Sequence, residues 1–490
     1  MTVDGIRLPT QRFHAWCTLG LPIFVGGLIG TAVLADSLLA RGLSLRFAAP
    51  WLRGEAPPLI TLVVALLVVV VLALGTVLRG WLPRPELALI TLLFVATQLV
   101  GFSIGNVEPL KICLLVVAGC WLFDALANDR ALRLYPPFLM MWLVILAFAF
   151  ASSLNGLLSS LIAQYTIAAK FLMFFIVANL IRTPGQLVFT VRLLVGLGMA
   201  SAVLALVQEA LFYFLNIALT LDDNASKFWF KETPIGWMIR ATALHSTSQN
   251  LSHFLLIAFA LLLLGPFSAS LRTAGLTLIA LAIFFTFSGN ALVVLAFVVF
   301  MAPIVRRPRI VLQYVGTLLL GALVAYQTGA LGWAYNAYLL PLSEKSAEDR
   351  VGLLQLGFDV VERHPLIGIG LNNFGRLSPQ PVHNAYMQMT TEIGVVPGVL
   401  LCLILLLILC RLLIGTAATP VGRVRQAGQG VLLGFMALAV HFLFEPFINS
   451  LVSWSIIGLA EAAALLLYVR RSTGEPFFQA ILLPSWRAIP

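Results

Sequence analysis

Charged residues are scarce in this sequence: Asp, Glu, Lys and Arg make up 10% of its 490 residues, whereas hydrophobic residues make up 60%. A soluble domain carries about 25% charged residues. No soluble core could bury so much apolar surface, which excludes a soluble globular enzyme. Apolar runs of about 20 residues recur along the chain, and each is long enough to cross about 30 Å of hydrocarbon as a helix. We therefore predict an all-α polytopic membrane protein embedded in a lipid bilayer.

Cysteine is also scarce, and its placement indicates neither a disulfide nor a metal centre. The five cysteines sit inside apolar runs, without the short spacings of metal ligands. The net charge of +10 would suit nucleic acid, but the basic residues fall in short clusters between apolar runs. That arrangement is a signal of membrane topology. We expect no cofactor, no metal and no nucleic-acid partner.

The apolar runs predict about 12–14 transmembrane helices. Candidate helices lie near 17–39, 58–78, 87–104, 109–127, 136–155, 160–181, 187–214, 250–270, 310–329, 394–415, 429–445 and 449–469. The stretch 273–304 is either one long helix or two short ones that meet at Ser288-Gly289-Asn290. If it crosses twice, the short cytoplasmic loops hold about 18 of the 30 basic residues, including Arg306, Arg411 and Arg423, as the positive-inside rule requires. Two crossings give fourteen helices and cytoplasmic termini, while twelve or thirteen stay open, because boundaries read from sequence shift by several residues.

In this topology two periplasmic segments are too long to be simple turns. The chain divides into N-terminal transmembrane helices (1–214), a first periplasmic loop (215–249), central transmembrane helices (250–329), a second periplasmic loop (330–393), and C-terminal transmembrane helices with a cytoplasmic tail (394–490). Long loops in compact proteins are usually functional or disordered. In the second loop, Ser346 to Asp349 has the pattern of a helix N-cap, and Val351 to Val361 follow with apolar periodicity. We therefore predict a helix outside the membrane.

Two loop arginines are candidates for binding an anion. Arg350 lies in the first turn of the predicted helix, where the macrodipole disfavours a cation by roughly a few tenths of a kcal/mol, so an anionic group should compensate it. That group is either a loop carboxylate, such as Glu348 or Asp349, or a phosphate held by the guanidinium and the helix N-terminal amides. Arg240 lies at the end of the first loop. The simpler hypothesis for this residue is that its side chain anchors the chain at the lipid headgroups.

His383 is a candidate general base, because a neutral imidazole accepts protons near pH 7. It lies near the predicted membrane surface, beside Asn384. Taken alone, such a residue is more often a structural or interfacial histidine. Arg240, Arg350 and His383 together, on adjacent long loops of one membrane face, predict a site for an anionic leaving group beside a base.

Two further polar features lie inside apolar runs. Lys170 is the one basic residue near the middle of such a run. A charge at that depth costs at least about 2.5–3.5 kcal/mol on insertion scales, so it should face the bundle or a watery cavity, and function is the default hypothesis. His441 and Glu445, one helical turn apart near the end of a late membrane helix, indicate a structural polar pair.

The sequence from Arg350 to Gly398 resembles the O-antigen ligase and O-antigen polymerase superfamily. It contains Pro-Leu-Ile-Gly-Ile-Gly-Leu-Asn-Asn-Phe at 365–374 and His-Asn-Ala-Tyr-x(5)-Glu-Ile-Gly at 383–394. The segment from Arg240 to Leu251 is similar to the one that precedes a central membrane helix in that family. The similarity covers roughly residues 160–415. It implies a GT-C-like glycosyltransferase of the bacterial inner membrane whose active site faces the periplasm.

The resemblance also implies substrates and site residues. The donor would be a glycan linked to undecaprenyl diphosphate, the acceptor a sugar hydroxyl of a glycan or of lipid A-core, and the transfer metal-independent and inverting. Two loop arginines and the histidine of the His-Asn motif are essential in such proteins, and they match Arg240, Arg350 and His383. We expect four further residues to bind substrate: Lys170, Asn373, Asn384 and Tyr386.

This chain departs from the family pattern at two places. Family members often carry Thr-x-Ser-Arg where this chain has Thr286-Phe287-Ser288-Gly289, and Gly where it has Ala243. The missing arginine argues against a role for the break at 286–290. A ligase, which moves a finished chain onto lipid A-core, and a polymerase, which extends a chain on its carrier, fit equally. A lipid-linked glycan transporter, whose site would be expected near the bilayer midplane, and a membrane scaffold are the alternatives of other classes.

Overall fold

The computed structural model describes residues 85–99, 109–127, 136–153, 157–215, 230–233, 236–307, 311–329, 340–446, 448 and 450–469. The helices are α1 (Pro85–Ala96), α2 (Pro109–Ala127), α3 (Pro136–Ser153), α4 (Leu157–Leu180), α5 (Pro184–Leu215), α6 (Ser248–Leu264), α7 (Ala269–Phe285), α8 (Gly289–Arg306), α9 (Val311–Gln327), α10 (Leu340–Arg363), α11 (Ala385–Ile393), α12 (Val395–Ala418), α13 (Arg423–His441) and α14 (Leu451–Val469). Between α5 and α6, β1 (Phe230–Thr233) pairs antiparallel with β2 (Gly236–Ile239). The predicted spans near 17–39 and 58–78 lie outside the described residues.

Within the described part of the chain, the predicted apolar runs are helices. Four helices there are long and apolar enough to cross a membrane: Pro184–Leu215, Gly289–Arg306, Val395–Ala418 and Leu451–Tyr468. Others, such as α6 and α7, are apolar but shorter. These helices confirm the predicted all-α polytopic membrane protein. The count of 12–14 spans stays a prediction, and the short β1–β2 sheet was not predicted.

The central helices pack closely because glycines face their neighbours. A Cβ added at Gly198 of α5 would collide with Ala258 of α6, and one at Gly275 of α7 would lie 2.7 Å from Cδ2 of Leu262. Small residues allow such close approach between membrane helices. Helix α6 is buried along nearly its whole length and contacts α5, α7, α8 and α13. It is therefore the centre of the bundle.

The two ends of the bundle are formed by different segments of the chain. At one end, Gln429 near the start of α13 donates to the carbonyl of Val305 near the end of α8 (3.3 Å). This contact brings together the arginines of 306–307 and 423–425. At the opposite end, the first long loop meets the end of α7, where the N–H of Ala241 donates to a backbone carbonyl (3.0 Å). The arginine clusters and the long loops therefore lie at opposite ends.

The chain reverses direction between α7 and α8, as predicted for two crossings of 273–304. Thr286 closes α7, since its N–H and its Oγ1 both donate to the carbonyl of Ile283 (3.1 and 2.6 Å). Phe287 has a φ of +47°, which residues other than glycine seldom adopt. A break of only three residues then suffices before α8 begins at Gly289.

The helix predicted outside the membrane is longer than the sequence indicated. Helix α10 begins at Leu340, so the predicted N-cap at Ser346 was wrong. Pro341 fits the first helical turn, where no intrahelical hydrogen bond is lost, and the helix continues through the residues with the capping pattern. Arg350 consequently lies in the middle of a helix. The macrodipole argument for an anion beside it does not apply.

Arg411 was expected in a cytoplasmic loop, and this prediction was also wrong. Helix α12 continues to Ala418, so Arg411 lies inside it and is 3% exposed. Its Nη1 donates to both carboxylate oxygens of Glu461 on α14 (3.0 and 2.9 Å). The buried pair joins two helices near the arginine-rich end of the bundle.

Topology reporters fused at positions within 340–393 should give a periplasmic signal. Fusions after Arg306 or near Arg423 should give a cytoplasmic signal, because arginine-rich short loops stay in the cytoplasm. Paired alkaline phosphatase and green fluorescent protein fusions measure both sides. A cytoplasmic signal from 340–393 would contradict the orientation of the whole bundle.

Candidate active site

Glu445 lies at the centre of a cluster of residues that are far apart in the chain. Its Oε1 accepts from Arg350 Nη2 (3.3 Å) and from Asn290 Nδ2 (2.7 Å), and its Oε2 lies 3.3 Å from His383 Nδ1. Asn290 Oδ1 in turn accepts from Arg350 Nη1 (2.8 Å). The side chain of Glu445 is 4% exposed, whereas those of Arg350 and His383 are 26% and 20% exposed. The carboxylate is therefore the buried floor of the cluster, and the basic groups form its accessible side.

The turn after α13 places Glu445 next to His383. Helix α13 ends at His441, and the N–H of Glu445 donates to the carbonyl of His441 (3.1 Å), which adds one more turn. The start of α11 docks on this turn, where the N–H of Ala385 donates to the carbonyl of Phe442 (2.7 Å). Because His383 lies two residues before the start of α11, the backbone contact fixes it beside the carboxylate.

Arg240 reaches the cluster from the first long loop. It follows β2, and its Nε donates to the carbonyl of Thr286 in the α7–α8 break (3.1 Å). Burial lowers the pKa of Arg240 from its ordinary value, and the carboxylate of Glu445 opposes that change. Glu445 contacts Arg350 and His383 directly, whereas Arg240 is joined to the same region through the carbonyl of Thr286.

The α7–α8 break, whose role the missing arginine was expected to weaken, contacts the predicted site residues. The Thr286 carbonyl binds Arg240, and Asn290, in the first turn of α8, bridges Arg350 and Glu445. The break therefore connects both long loops through backbone and amide groups rather than through a side-chain cation.

Gln208 of α5 fixes the backbone that follows Arg240. Its Oε1 accepts from the N–H groups of Thr242 (2.9 Å) and Ala243 (3.0 Å), and its Nε2 lies 3.2 Å from Thr242 Oγ1. Ala243 has a φ of +48°, a conformation that favours glycine. In this chain the Gln208 contacts hold an alanine in the strained conformation.

Three residues that were expected to bind substrate make local structural contacts. Asn384 caps α11 by accepting from the N–H of Met387 (2.9 Å), and Tyr386 donates its hydroxyl to the carbonyl of Ala439 on α13 (2.9 Å). Asn373 is 4% exposed, and its Nδ2 donates to the carbonyl of Ile369 (2.9 Å). Their substrate contacts stay predictions, and the contacts observed here shape the loop around His383.

Lys170, the fourth of these residues, is not part of the Glu445 cluster. It lies in α4, is 5% exposed and faces a cavity that Glu392 also lines. Glu392 is in the last turn of α11, whereas His383 precedes the first. The predicted orientation toward a cavity in the bundle is therefore observed, at the other end of α11 from the histidine.

Three residues of the candidate site, Asn290, Gln208 and Glu445, were not predicted from the sequence. Asn290 and Gln208 lie in apolar helices and carry no charge, so no motif pointed to them. Glu445 was assigned to a structural pair with His441, but its carboxylate instead contacts Arg350, Asn290 and His383. An ionisable residue at the end of a membrane helix is by itself a functional signal, and that signal could have identified Glu445.

Chemically, the cluster combines two guanidinium groups with an imidazole above a single carboxylate. One carboxylate neutralises only one of the two permanent positive charges, so the cluster can attract an anion. Within the described residues, no group of three or more His, Cys, Asp and Glu side chains could hold a metal ion. The arrangement is suited to binding an oxyanion beside a proton acceptor.

Residues 274–403 match the model of a protein family described as O-antigen ligase. The matched segment includes Asn290, Arg350 and His383, and it ends before Glu445. This match confirms the resemblance to the O-antigen ligase and polymerase superfamily. No curated protein matches the chain.

Glu445→Gln should destabilise the protein, because the amide keeps the shape of the side chain but loses the charge that attracts Arg350 and His383. We expect a loss of about 1–3 kcal/mol, measured as a lower Tm in detergent. Glu209→Gln is the matched control: Glu209 is 3% exposed, and its carboxylate oxygens have no hydrogen-bond partner in the described structure. Its Tm should stay unchanged or rise. Equal effects of the two substitutions would contradict the central role of Glu445.

Proposed function

Since residues 274–403 match the O-antigen ligase family, we propose that this membrane protein is a glycosyltransferase of the O-antigen ligase type. It transfers a glycan from undecaprenyl diphosphate to a sugar hydroxyl of an acceptor such as lipid A-core. The observation that carries the proposal is the sharing of Glu445 by Arg350 and His383. Cationic groups for a leaving phosphate and a base for a hydroxyl then lie side by side.

The two arginines bind the diphosphate of the donor. Arg240 uses Nε for Thr286, and Arg350 uses one proton of each Nη for Asn290 and Glu445. A guanidinium group has five N–H donors, so both arginines retain donors for phosphate oxygens. Planar forks of this kind bind phosphate in a bidentate manner.

His383 accepts the proton of the attacking hydroxyl. A carboxylate can only accept a hydrogen bond, so the contact of Nδ1 with Glu445 Oε2 (3.3 Å) requires the proton of a neutral His383 on Nδ1. Nε2 then carries the free lone pair and is the proton acceptor. Glu445 holds the ring in this tautomer and stabilises the imidazolium that forms, as a carboxylate does beside a catalytic histidine.

The reaction is a single displacement at the anomeric carbon of the donor. The acceptor oxygen bonds to that carbon while the bond to the diphosphate oxygen breaks, and the configuration inverts. The hydroxyl proton passes to His383 Nε2, and the electron pair of the broken bond leaves on the diphosphate. Arg240 and Arg350 offset the negative charge that grows there, so we expect transfer to continue in excess EDTA.

We expect the reaction at the periplasmic face of the inner membrane, with both termini in the cytoplasm. The arginine clusters at the opposite end of the bundle support this orientation through the positive-inside rule. A polymerase would use the same chemistry with a carrier-linked glycan as acceptor. The position of the cluster at one end of the bundle favours an enzyme over a lipid-linked glycan transporter, whose site would be expected near the midplane.

His383→Ala should reduce glycan transfer by about 10²–10⁴-fold, the usual contribution of a general base. The assay uses purified protein in detergent with a radiolabelled undecaprenyl diphosphate glycan and an acceptor, with and without EDTA. His364→Ala, an exposed histidine of the same loop, is the matched control and should keep most of the activity. Equal tolerance of both changes would remove His383 from the reaction.

Arg240→Lys and Arg350→Lys should each reduce transfer by about 10–100-fold, because lysine keeps the charge but loses the planar fork. Arg363→Lys tests an exposed arginine at the end of α10, the helix that carries Arg350, and should be nearly neutral. Rates are measured at saturating acceptor and compared at equal amounts of folded protein. Near-normal rates in both site variants would refute the phosphate role.

A further inference from the structure

Lys170 and Glu392 are buried charges of opposite sign on two different helices. Each is 5% exposed, with Lys170 on α4 and Glu392 in the last turn of α11. Both side chains line one cavity between α4 and α11. A buried charge is very unfavourable unless another charge compensates it. Across this cavity, Glu392 is therefore the charge of opposite sign that is placed to compensate Lys170 and to link α11 to the membrane helix α4.

A small cavity lies between these groups. Its volume is about 20 Å³, and Lys170, Gln388 and Glu392 line it together with Trp142 and Trp454. Gln388 Nε2 donates to Glu392 Oε1 (3.2 Å), and Gln388 Oε1 has no hydrogen-bond partner in the described structure. The space holds about one water molecule. A cavity of this volume is too small for a sugar or a phosphate.

Glu392 also holds the glycine-rich loop of residues 365–374. Its carbonyl accepts from the N–H of Gly370 (3.0 Å), and the carbonyl of the preceding Thr391 accepts from the N–H of Ile369 (3.0 Å). A Cβ at Gly368, whose φ is +61°, would lie 2.5 Å from the Glu392 carbonyl carbon, so only glycine fits there. The loop motif and the end of α11 thus form one unit around Glu392.

This unit sets the positions of two catalytic residues. His383 lies two residues before the start of α11, so any shift of α11 moves it relative to Glu445. Helix α10, which carries Arg350, packs against α11 where a Cβ at Gly357 would lie 2.9 Å from Cγ of Met387. Displacement of α11 would therefore move both His383 and Arg350.

We propose that Lys170 is a positioning residue, which holds Glu392 and thereby seats α11 so that His383 and Arg350 meet Glu445. Lys170 acts on the reaction through α11 and contacts no substrate. The kinetic consequence rests on the proposed glycosyl transfer. The coupling between Lys170 and Glu392 does not rest on that function, because the Tm values of the single and double variants are enough to measure it.

The test compares Lys170→Met, Glu392→Gln and the double variant with the unmodified protein. Each single change leaves one buried charge without its partner, and we expect kcat per folded molecule to fall by up to about 100-fold, as for a small misplacement of catalytic groups. The KM for the donor should stay unchanged. The double variant removes both charges, so no buried charge lacks its partner. It should therefore recover most of both kcat and Tm. Gln388→Met removes one contact of Glu392 without leaving a charge unpaired, and we expect it to lower kcat less than the charge variants do. It replaces a single charge variant that fails to fold.

The pair Arg411 and Glu461 is the matched control, because it is buried between membrane helices near the other end of the bundle. Arg411→Met, Glu461→Gln and their double variant should show the same coupling in Tm without a change in kcat per folded molecule. A raised donor KM that the Lys170–Glu392 double variant does not relieve would overturn the proposal in favour of substrate contact. A change in the Tm of the Lys170 and Glu392 variants without any change in their kcat would also overturn the proposal. If the unmodified protein transfers no glycan, the proposed function fails, and the Tm cycle still supports or refutes the Lys170–Glu392 coupling.

Discussion

The candidate active site depends on one buried carboxylate, that of Glu445. Arg350 and His383 come from separate segments of the chain, and both contact Glu445. Asn290 donates to the same carboxylate and, through the α7–α8 break, links it to Thr286, whose carbonyl holds Arg240. Glu445 is 4% exposed, whereas Arg350 and His383 are 26% and 20% exposed. A single buried acid thus holds the basic groups together and leaves part of their surface accessible.

The positions of the helices could largely be predicted from sequence, because each apolar run must form its own hydrogen bonds in hydrocarbon and can do so only as a helix. Even the break between α7 and α8 followed from the distribution of arginines. The start of α10 could not be predicted in this way. Outside the membrane, the capping pattern at Ser346 competes with a proline-initiated start at Leu340, and no hydrophobic boundary decides between them.

Candidate site residues could be proposed from sequence only where they carry charge in a long loop. Arg240, Arg350 and His383 met that condition, and their catalytic roles stay predictions. Asn290 and Gln208 act through amide groups on apolar helices, and they are recognisable only once the loops have folded against them. Glu445 was misassigned because its sequence neighbour His441 offered a local partner. The contacts that matter instead span 62 residues to His383 and 95 residues to Arg350.

Backbone strain is concentrated around Arg240. Ala243 and Phe287 both have positive φ values, one three residues after Arg240 and the other next to its carbonyl acceptor at Thr286. Such conformations persist only where surrounding contacts determine them, and here Gln208 and the end of α7 supply those contacts. The guanidinium is consequently held in place before any substrate arrives. A site that binds a diphosphate without prior rearrangement retains more of the binding free energy for the developing charge of the transition state.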